Sequence, residues 1–430
     1  MKKHPFALYA VWVAILAILP LPLVYLLNTN LVAGTRDLVI YDFGITAYVW
    51  WLAIIYLSTR PKWLDRLIGL PAMYFVHGMV GVLAVVLAFV HQLLAYTYHD
   101  EIRLTGDVAF YLAVFGIIYA SIFMSGWFVD RFPVARITKE KLQVFFKHQL
   151  SVWIHRLNFV VVALIWLHVH LIPRVANITS FIIVFNVYTL VSLGTYAYRK
   201  FVSSYDERST GMLVENKALS DNVRSVSIKF DNEQNYRPGD FYFIRFSAKG
   251  VSSEVHPFSV ASSPLDDKHT IRFIIQSVGD YTADIKNVPI GTKVFVEGPF
   301  GRFDAIANEN SQAPLVLYGL GSGVSPLYSM ALAYAKTGRQ VHLIWSAKNE
   351  NEMYLDSEFT RLADSNSHVR YDGKAHRFTQ EDLHSVISQQ EMDSAQFFIV
   401  GSAPVVIRVR SQLNAMGIPQ ARLYDERLTM

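Results

Sequence analysis

Six apolar runs fill most of the first 200 residues of this 430-residue chain, at about 6–27, 38–58, 71–97, 107–129, 149–172 and 179–198. Each is long enough to cross about 30 Å of hydrocarbon as a helix. Backbone in lipid must satisfy its own hydrogen bonds, so runs of this kind fold as helices. Lys2 and Lys3 precede the first run, as in a signal peptide. No small-residue cleavage motif follows and the apolar stretch outlasts a signal core, so the first run is expected to be a retained helix.

Basic residues divide unevenly between the two ends of a six-span bundle. Lys2, Lys3, Arg60, Lys62, Arg66, Arg131, Arg136, Lys139, Lys141, Lys147, Arg199 and Lys200 fall on one side; only Arg36, Arg103 and Arg174 fall on the other. This bias predicts a multi-pass protein of the cytoplasmic membrane with both termini in the cytoplasm. The net charge of +4 therefore reflects topology. No basic stripe suggests a nucleic-acid partner. The chain has no cysteine, which excludes disulfides, thiolate catalysis, cysteine-held iron–sulfur clusters and covalent haem attachment.

The third run, "FVHGMVGVLAVVLAFVHQLLAY", carries His77 and His91 14 residues apart. On a helix that is about 21 Å along the axis and within about 40° of one face. An imidazole in hydrocarbon is costly unless hydrogen-bonded or coordinated. The fifth run supplies His155, His168 and His170. The two runs cross in the same direction, so His77 is expected level with His155, and His91 level with His168 or His170. Two levels of paired imidazoles suit two stacked b-type haems as the metal sites. A straight helix mismatches His155 and His168 by about 140°, and His155 and His170 by only about 60°, so spacing alone leaves the outer partner open. Arg156 is placed to pair with a haem propionate. His4, His99 and His148 read as ordinary interfacial histidines, and Trp50, Trp51 and Trp127 as an aromatic belt.

After about residue 202 the pattern changes. Short alternating runs such as "VRSVSIKF", "FYFIRF" and "TIRFIIQSV", separated by turns such as "YRPGD", predict an antiparallel β-barrel over 202–305. From 306 to 430 strands alternate with helices, predicting an α/β nucleotide-binding domain with a mostly parallel sheet. With the six-helix bundle over 1–201, the fold class is a multidomain membrane protein. "HPFS" (His256, Pro257, Phe258, Ser259) reads as the lining of a flavin ring and its ribityl chain, and the Gly279–Thr282 turn as the approach to its pyrophosphate. "YGLGSGVSPL", with Gly319, Gly321, Gly323, Val324, Ser325 and Pro326, forms a strand-to-helix turn suited to a diphosphate. "VGSAP", with Gly401, ends a later strand at the same expected edge and is placed to contact nicotinamide. Lys348 and Arg339 are candidates for an adenosine 2'-phosphate.

The whole assembly resembles the ferric reductase and NADPH oxidase superfamily. The features that carry the resemblance are the His77–His91 pair, "IHRLNF" from Ile154, a histidine 13 residues after His155, "HPFS", "GDYT", "GPFG" and "GSGVSP". The resemblance implies hydride transfer from NADH or NADPH to FAD, then single-electron steps through an inner haem held by His77 and His155 and an outer one held by His91 and His168. It thereby favours His168 over His170, at the cost of a bulge or kink in the fifth helix. The external acceptor would be a ferric complex or dioxygen, with membrane lipid around the bundle. Three departures stand out: Val400 replaces the family's nicotinamide-site cysteine, Leu428 or Met430 replaces its C-terminal aromatic, and Ala95 stands where oxidase members carry a further histidine. The last weighs against dedicated superoxide production. Competing readings are a membrane-anchored NAD(P)H:flavin reductase with an intracellular acceptor, a superoxide-generating oxidase, and a structural or quinone-linked membrane subunit. Coenzyme preference, protein partners and oligomeric state are not set by the sequence.

Overall fold

The computed structural model describes residues 5–123, 137–138, 141, 148–202, 210–252 and 254–428. Lys2, Lys3, His4, Trp127, Arg131, Arg136, Lys139, Lys147, Met430 and the side chain of His148 lie outside the described residues. The chain divides into two compact units, one helical (residues 4–64 and 70–203) and one formed chiefly by residues 204–430.

Among the described residues the helical unit contains six helices long and apolar enough to cross a membrane: Phe6–Asn30, Thr35–Ser58, Leu70–Leu94, Asp100–Phe123, Leu150–His170 and Thr179–Val202. The first is interrupted. Helix α1 (Pro5–Val13) runs into a π-turn at Ala14–Ile18, where Leu19 N–H reaches back to Ala14 O, and α2 (Leu21–Asn30) resumes after Pro20. A proline lacks the N–H that would continue the ladder, so the helix widens and bends there. Helix α3 (Thr35–Ser58) packs against α4 (Leu70–Leu94), and α5 (Asp100–Phe123) against the fifth crossing. Helix α5 begins seven residues earlier than the apolar pattern suggests, because Asp100 and Glu101 favour a helix amino end.

Polar side chains inside the bundle pair across helices, as buried polar groups require. Tyr48 hydroxyl meets Thr189 Oγ1 at 2.9 Å, Ser192 Oγ donates to Leu52 O at 2.8 Å, and Gln92 Nε2 donates to Asp107 at 2.8 Å. The expected aromatic belt is corrected at two positions. Trp51 is 3% exposed and Trp50 Nε1 donates to Leu16 O, so both pack inside the bundle. They lie two turns from the end of α3, too deep for a headgroup layer.

The second unit has two sheets. Strands β1 (Thr210–Ala218), β2 (Val223–Lys229), β3 (Phe241–Phe246), β4 (His256–Ser259), β5 (Thr270–Gln276) and β6 (Lys293–Phe300) form an antiparallel sheet ordered β4-β3-β6-β1-β2-β5. A bridge from Val260 to Phe273 joins the chain just past β4 to β5, the opposite edge strand. Strands β7 (Leu315–Leu320), β8 (Val341–Ala347), β9 (Val369–Ala375), β10 (Gln396–Ser402) and β11 (Leu423–Leu428) form an all-parallel, Rossmann-like sheet ordered β11-β10-β7-β8-β9. Strands β7 and β8 are buried along their whole length, as a sheet covered on both faces requires. The chain leaves β7 toward β8 on one side and returns to β10 on the other, so the strand order reverses between β7 and β10.

Far from that reversal, at the amino end of β8, His342 is 2% exposed between two carboxylates. Its Nε2 lies 2.8 Å from Asp372 Oδ2 and its Nδ1 2.9 Å from Glu391 Oε1. Burial opposes ionisation of Glu391, but the hydrogen bond and charge of His342, with the Ser388 backbone and hydroxyl, outweigh it and hold the carboxyl down to about 2. A carboxylate lowered by folding contributes stability above its unfolded value of about 4.3 and loses it as pH falls toward the folded one. Glu391→Gln is therefore expected to lower the melting temperature at pH 7 by about 2–4 °C, roughly 1 kcal/mol after solvent screening. The gap to the unsubstituted protein should narrow between pH 5 and pH 3; a gap constant across that range in fluorescence melts refutes the assignment.

Candidate functional site

Four histidines in the helical unit meet in two pairs. His77 and His155 have ring centres 6.0 Å apart, and His91 and His168 have theirs 6.5 Å apart. Both rings on α4 are tied by Nδ1 to a carbonyl of α3: His77 donates to Ile54 O at 2.9 Å and His91 to Ile40 O at 2.7 Å. His168 Nδ1 donates to Ile102 O at 2.9 Å. Such bonds fix the tautomer and leave Nε2 of each of these three rings for a ligand. His155 Nδ1 lies 3.4 Å from the Asn158 amide, whose nitrogen also donates to His155 O.

Space for the outer rings comes from two glycines. A Cβ on Gly44 would stand 3.0 Å from His91 Cε1, and one on Gly106 would stand 3.1 Å from His168 Cε1. The fifth crossing is not one straight helix. It comprises α6 (His148–His155) and α7 (Asn158–His170), separated by a tight turn at Arg156–Leu157. There Leu157 N–H bonds Ile154 O and Phe159 N–H bonds Arg156 O, three residues back in place of four. The straight-helix count that left the outer partner open does not apply across this break. His168 faces His91, whereas His170 donates Nδ1 to Trp166 O and stacks on Trp166 with ring centres 4.1 Å apart. Arg156, next to His155 in the chain, covers the Trp153 ring at 5.0 Å, and Lys200 lies over the Tyr196 and Phe201 rings.

Among the described residues, no group of three or more His, Asp or Glu side chains is placed to hold a metal ion. Two imidazoles suffice where a macrocycle supplies the other ligands. With metal–imidazole bonds of about 2 Å on each side, two rings sharing one ion sit about 6 Å apart, so the residues fit that group.

In the antiparallel sheet His256 of β4 stacks on Tyr281, ring centres 3.8 Å apart and planes 25° from parallel. Tyr281 hydroxyl donates to Ile244 O, and Ile244 is the cross-strand partner of His256. Burial pushes the Tyr281 phenol up to about 12, so it stays a neutral donor. Thr282 Oγ1 accepts from the backbone of Val278 and Gly279, which closes the turn. The "HPFS" strand and the "GDYT" turn are thus brought together, with Pro257 exposed and Phe258 and Ser259 half-buried.

At the strand-order reversal, β7 runs through a turn at Gly321–Gly323 into α8 (Val324–Ala335). A Cβ on Gly323 would lie 2.4 Å from Val400 O, and one on Gly401 would lie 2.6 Å from Leu320 Cβ. The glycines let the carboxyl ends of β7 and β10 touch. Val324, Ser325 and Pro326 are buried, so their side chains support the turn from beneath. Trp345 Nε1 donates to Gly321 O, and Ser322 Oγ donates to Gln276 on β5, joining turn and antiparallel sheet. Arg272 of β5 grips Glu358 with two hydrogen bonds of 2.7 and 3.0 Å, and Tyr328 donates to the same carboxylate.

Arg339 is not at this edge. It is 9% exposed at the amino end of the sheet, where it donates to Ala313 O, Ala307 O, Asn310 O and Gln396. Its hydrogen bonds secure the connection into β7, at the end of the sheet opposite the glycine turn, so it is not the adenosine 2'-phosphate contact the sequence suggested. Lys348 follows the carboxyl end of β8 and is exposed. Leu428 pairs with Ser402 at the end of β11. Sequence reasoning missed Tyr281, although it lies inside "GDYT", and missed Gly44, Gly106 and Gln276, whose partners are remote in sequence.

Residues 210–304 match the FAD-binding domain family and residues 317–405 the oxidoreductase NAD-binding domain family. The ferredoxin reductase component of 3-ketosteroid-9-alpha-monooxygenase from Rhodococcus rhodochrous is 26% identical over 200 residues, 44% of this chain and 55% of that protein. Ferric reduction oxidase 7 of Arabidopsis thaliana is 26% identical over 215 residues, 40% of this chain and 28% of that protein. Respiratory burst oxidase homolog protein G of the same plant is 26% identical over 164 residues, 33% of this chain and 19% of that protein. The chain thus spans about half or less of these relatives. Residues 210–304 and 317–405 thus match an FAD-binding and an oxidoreductase NAD-binding domain, and they follow six long apolar helices among the described residues.

Proposed function

We propose that this protein moves electrons from cytoplasmic NAD(P)H across a membrane to a small external acceptor, a ferric complex or dioxygen, using FAD and two b-type haems. The observation that carries the reading is the two levels of facing imidazoles in a chain that also has FAD- and NAD-binding domains. A flavin turns a two-electron hydride into single electrons, and haems pass single electrons through an apolar layer.

The division of labour among residues follows. His77 with His155 holds the inner haem and His91 with His168 the outer, each of His77, His91 and His168 kept in one tautomer by its carbonyl partner. Arg156 takes the inner propionates. His256, Pro257, Phe258 and Ser259, closing a β-barrel over 202–305, line the flavin, with His256 braced from behind by Tyr281, and Gly279 and Thr282 shape the turn at the pyrophosphate. Backbone of Gly319, Gly321 and Gly323, supported by Val324, Ser325 and Pro326, receives the coenzyme diphosphate at the carboxyl edge of the 306–430 domain, where Gly401 faces nicotinamide. No side chain in this set breaks a bond; the protein positions the groups, excludes water from the haems and fixes protons on ring nitrogens. The helices of residues 1–201 span the bilayer with both termini inside.

Full-length protein loaded with haem and FAD should show reduced haem bands on anaerobic addition of NADPH or NADH, then reoxidation by ferric chelates or by air with superoxide detection. Rapid flavin turnover with haems that stay oxidised would sink this reading.

A further inference from the structure

The break in the first crossing leaves a cavity of about 350 Å³ between that helix, α3 and α4, lined by Ala17, Pro20, Val24, Asp42, Thr46 and Leu87 among others. The π-turn and Pro20 make the gap, since an unbroken helix would bring the next turn against α3. Leu21, another lining residue, is 58% exposed, so the cavity opens on the flank of the helical unit. Its surface is apolar except for Asp42 and Thr46. An ionisable residue in a membrane-crossing segment is expensive and marks function by default. Asn28 supports Asp42, its Nδ2 donating to both carboxylate oxygens at 3.2 and 3.0 Å, and Asn28 Oδ1 is buried with no partner among the described residues.

The cavity adjoins the outer histidine level. Ile40, which accepts from His91 Nδ1, and Gly44, which packs on the His91 ring, stand two residues either side of Asp42 on α3, so Asp42 is level with them but on the opposite face of that helix. Leu87 precedes His91 by one turn of α4. A ligand in the cavity is therefore level with the outer histidine pair, with Leu87 on the His91 side.

We propose that this cavity is a lateral quinone site, and that a membrane quinone is an electron acceptor of this protein; the acceptor role rests on the function proposed above. A flat apolar ring carrying two oxygens reaches the cavity through the bilayer. Dioxygen needs no space of this size, and a charged ferric chelate would not enter an apolar flank. The Asp42 carboxylate accepts a hydrogen bond from a hydroxyl of the reduced ring. The balance is NAD(P)H + H⁺ + quinone → NAD(P)⁺ + hydroquinone: the hydride supplies both electrons, its proton is released inside, and two protons from water at the outer face join the ring oxygens.

The test uses full-length protein in nanodiscs with two probes, a photoreactive azido-ubiquinone and an azido-naphthoquinone, each with a short isoprenoid tail. Labelling should fall on peptides spanning 16–24 and 42–46, yield to excess unlabelled quinone, and drop about tenfold in Ala17→Trp, which fills the space. The stronger probe identifies the ring type. Labelling spread over all lipid-facing helices, unchanged in Ala17→Trp, or competed equally by phospholipid would overturn the site, the last marking an acyl-chain groove. This readout needs no NAD(P)H and no haem reduction, so it stands apart from the electron route. In NADPH-reduced protein, quinone-driven reoxidation measured relative to ferric-chelate reoxidation of the same sample should fall about tenfold in Ala17→Trp. An unchanged ratio would mean that the quinone is reduced elsewhere, and would overturn the acceptor role.

Discussion

Replacing His91 or His168 with alanine is expected to remove one of the two proposed haems per chain and to abolish reduction of external acceptors, while NAD(P)H-driven flavin reduction persists. The reason is geometric. The outer rings face each other at 6.5 Å, His91 and His168 both anchored by Nδ1 to carbonyls of other helices, so neither position can be supplied by a neighbour. His170 is two residues from His168, but its ring is held against Trp166 by the Nδ1 bond to Trp166 O. His170→Ala should therefore keep both haems and nearly all activity. Haem-to-protein ratios and low-spin bis-imidazole spectra of the three variants decide the matter. Full haem content in both His91→Ala and His168→Ala would end the ligand assignment, and loss of a haem in His170→Ala would move the outer ligand.

The second large effect is expected at Gly323. A Cβ there would sit 2.4 Å from Val400 O and 2.7 Å from Val400 C, closer than real Cβ atoms approach. Backbone lies on the other side of the contact, so no side chain can swing away, and the carboxyl ends of β7 and β10 must part. Misplacement on the order of 1 Å at a reacting pair costs about a hundredfold in rate. Gly323→Ala should accordingly lower NAD(P)H-driven flavin reduction about a hundredfold, with FAD retained because His256 on β4 and the Tyr281–Thr282 turn after β5 lie apart from the β7–β10 contact. Gly321→Ala makes the comparison. Its Cβ would meet open space, but φ is +60°, which costs an alanine about 1 kcal/mol and less than tenfold in rate. Equal rates in the two variants would show that the close approach of the strands does not position the coenzyme.

Much of this molecule was legible in the one-dimensional pattern because the governing physics is local. Hydrocarbon forbids unpaired backbone, so apolar runs of sufficient length could only be helices. A 14-residue spacing returns nearly to one helix face, so His77 and His91 had to share a side. Alternating runs followed by strand-and-helix units gave an antiparallel sheet and then a parallel one. Glycines at "GLGSG" and "GSAP" announced close backbone approach without naming the partner.

The outer histidine pair, the glycine contact and the cavity required the folded chain, since each depends on groups far apart in sequence. Helical period left His168 and His170 open and the family resemblance favoured His168 at the cost of a kink; the three-residue hydrogen bonds at Arg156–Leu157 are a departure of that kind, which no period count contains. Gly323 is needed because Val400 arrives 77 residues later, and Gly44 because the His91 ring does. Trp50 and Trp51 resembled an interfacial belt until neighbouring helices covered them. Periodicity fixes what one element can be; which side chain meets which is set by packing between elements, and there the chemistry of this protein is decided.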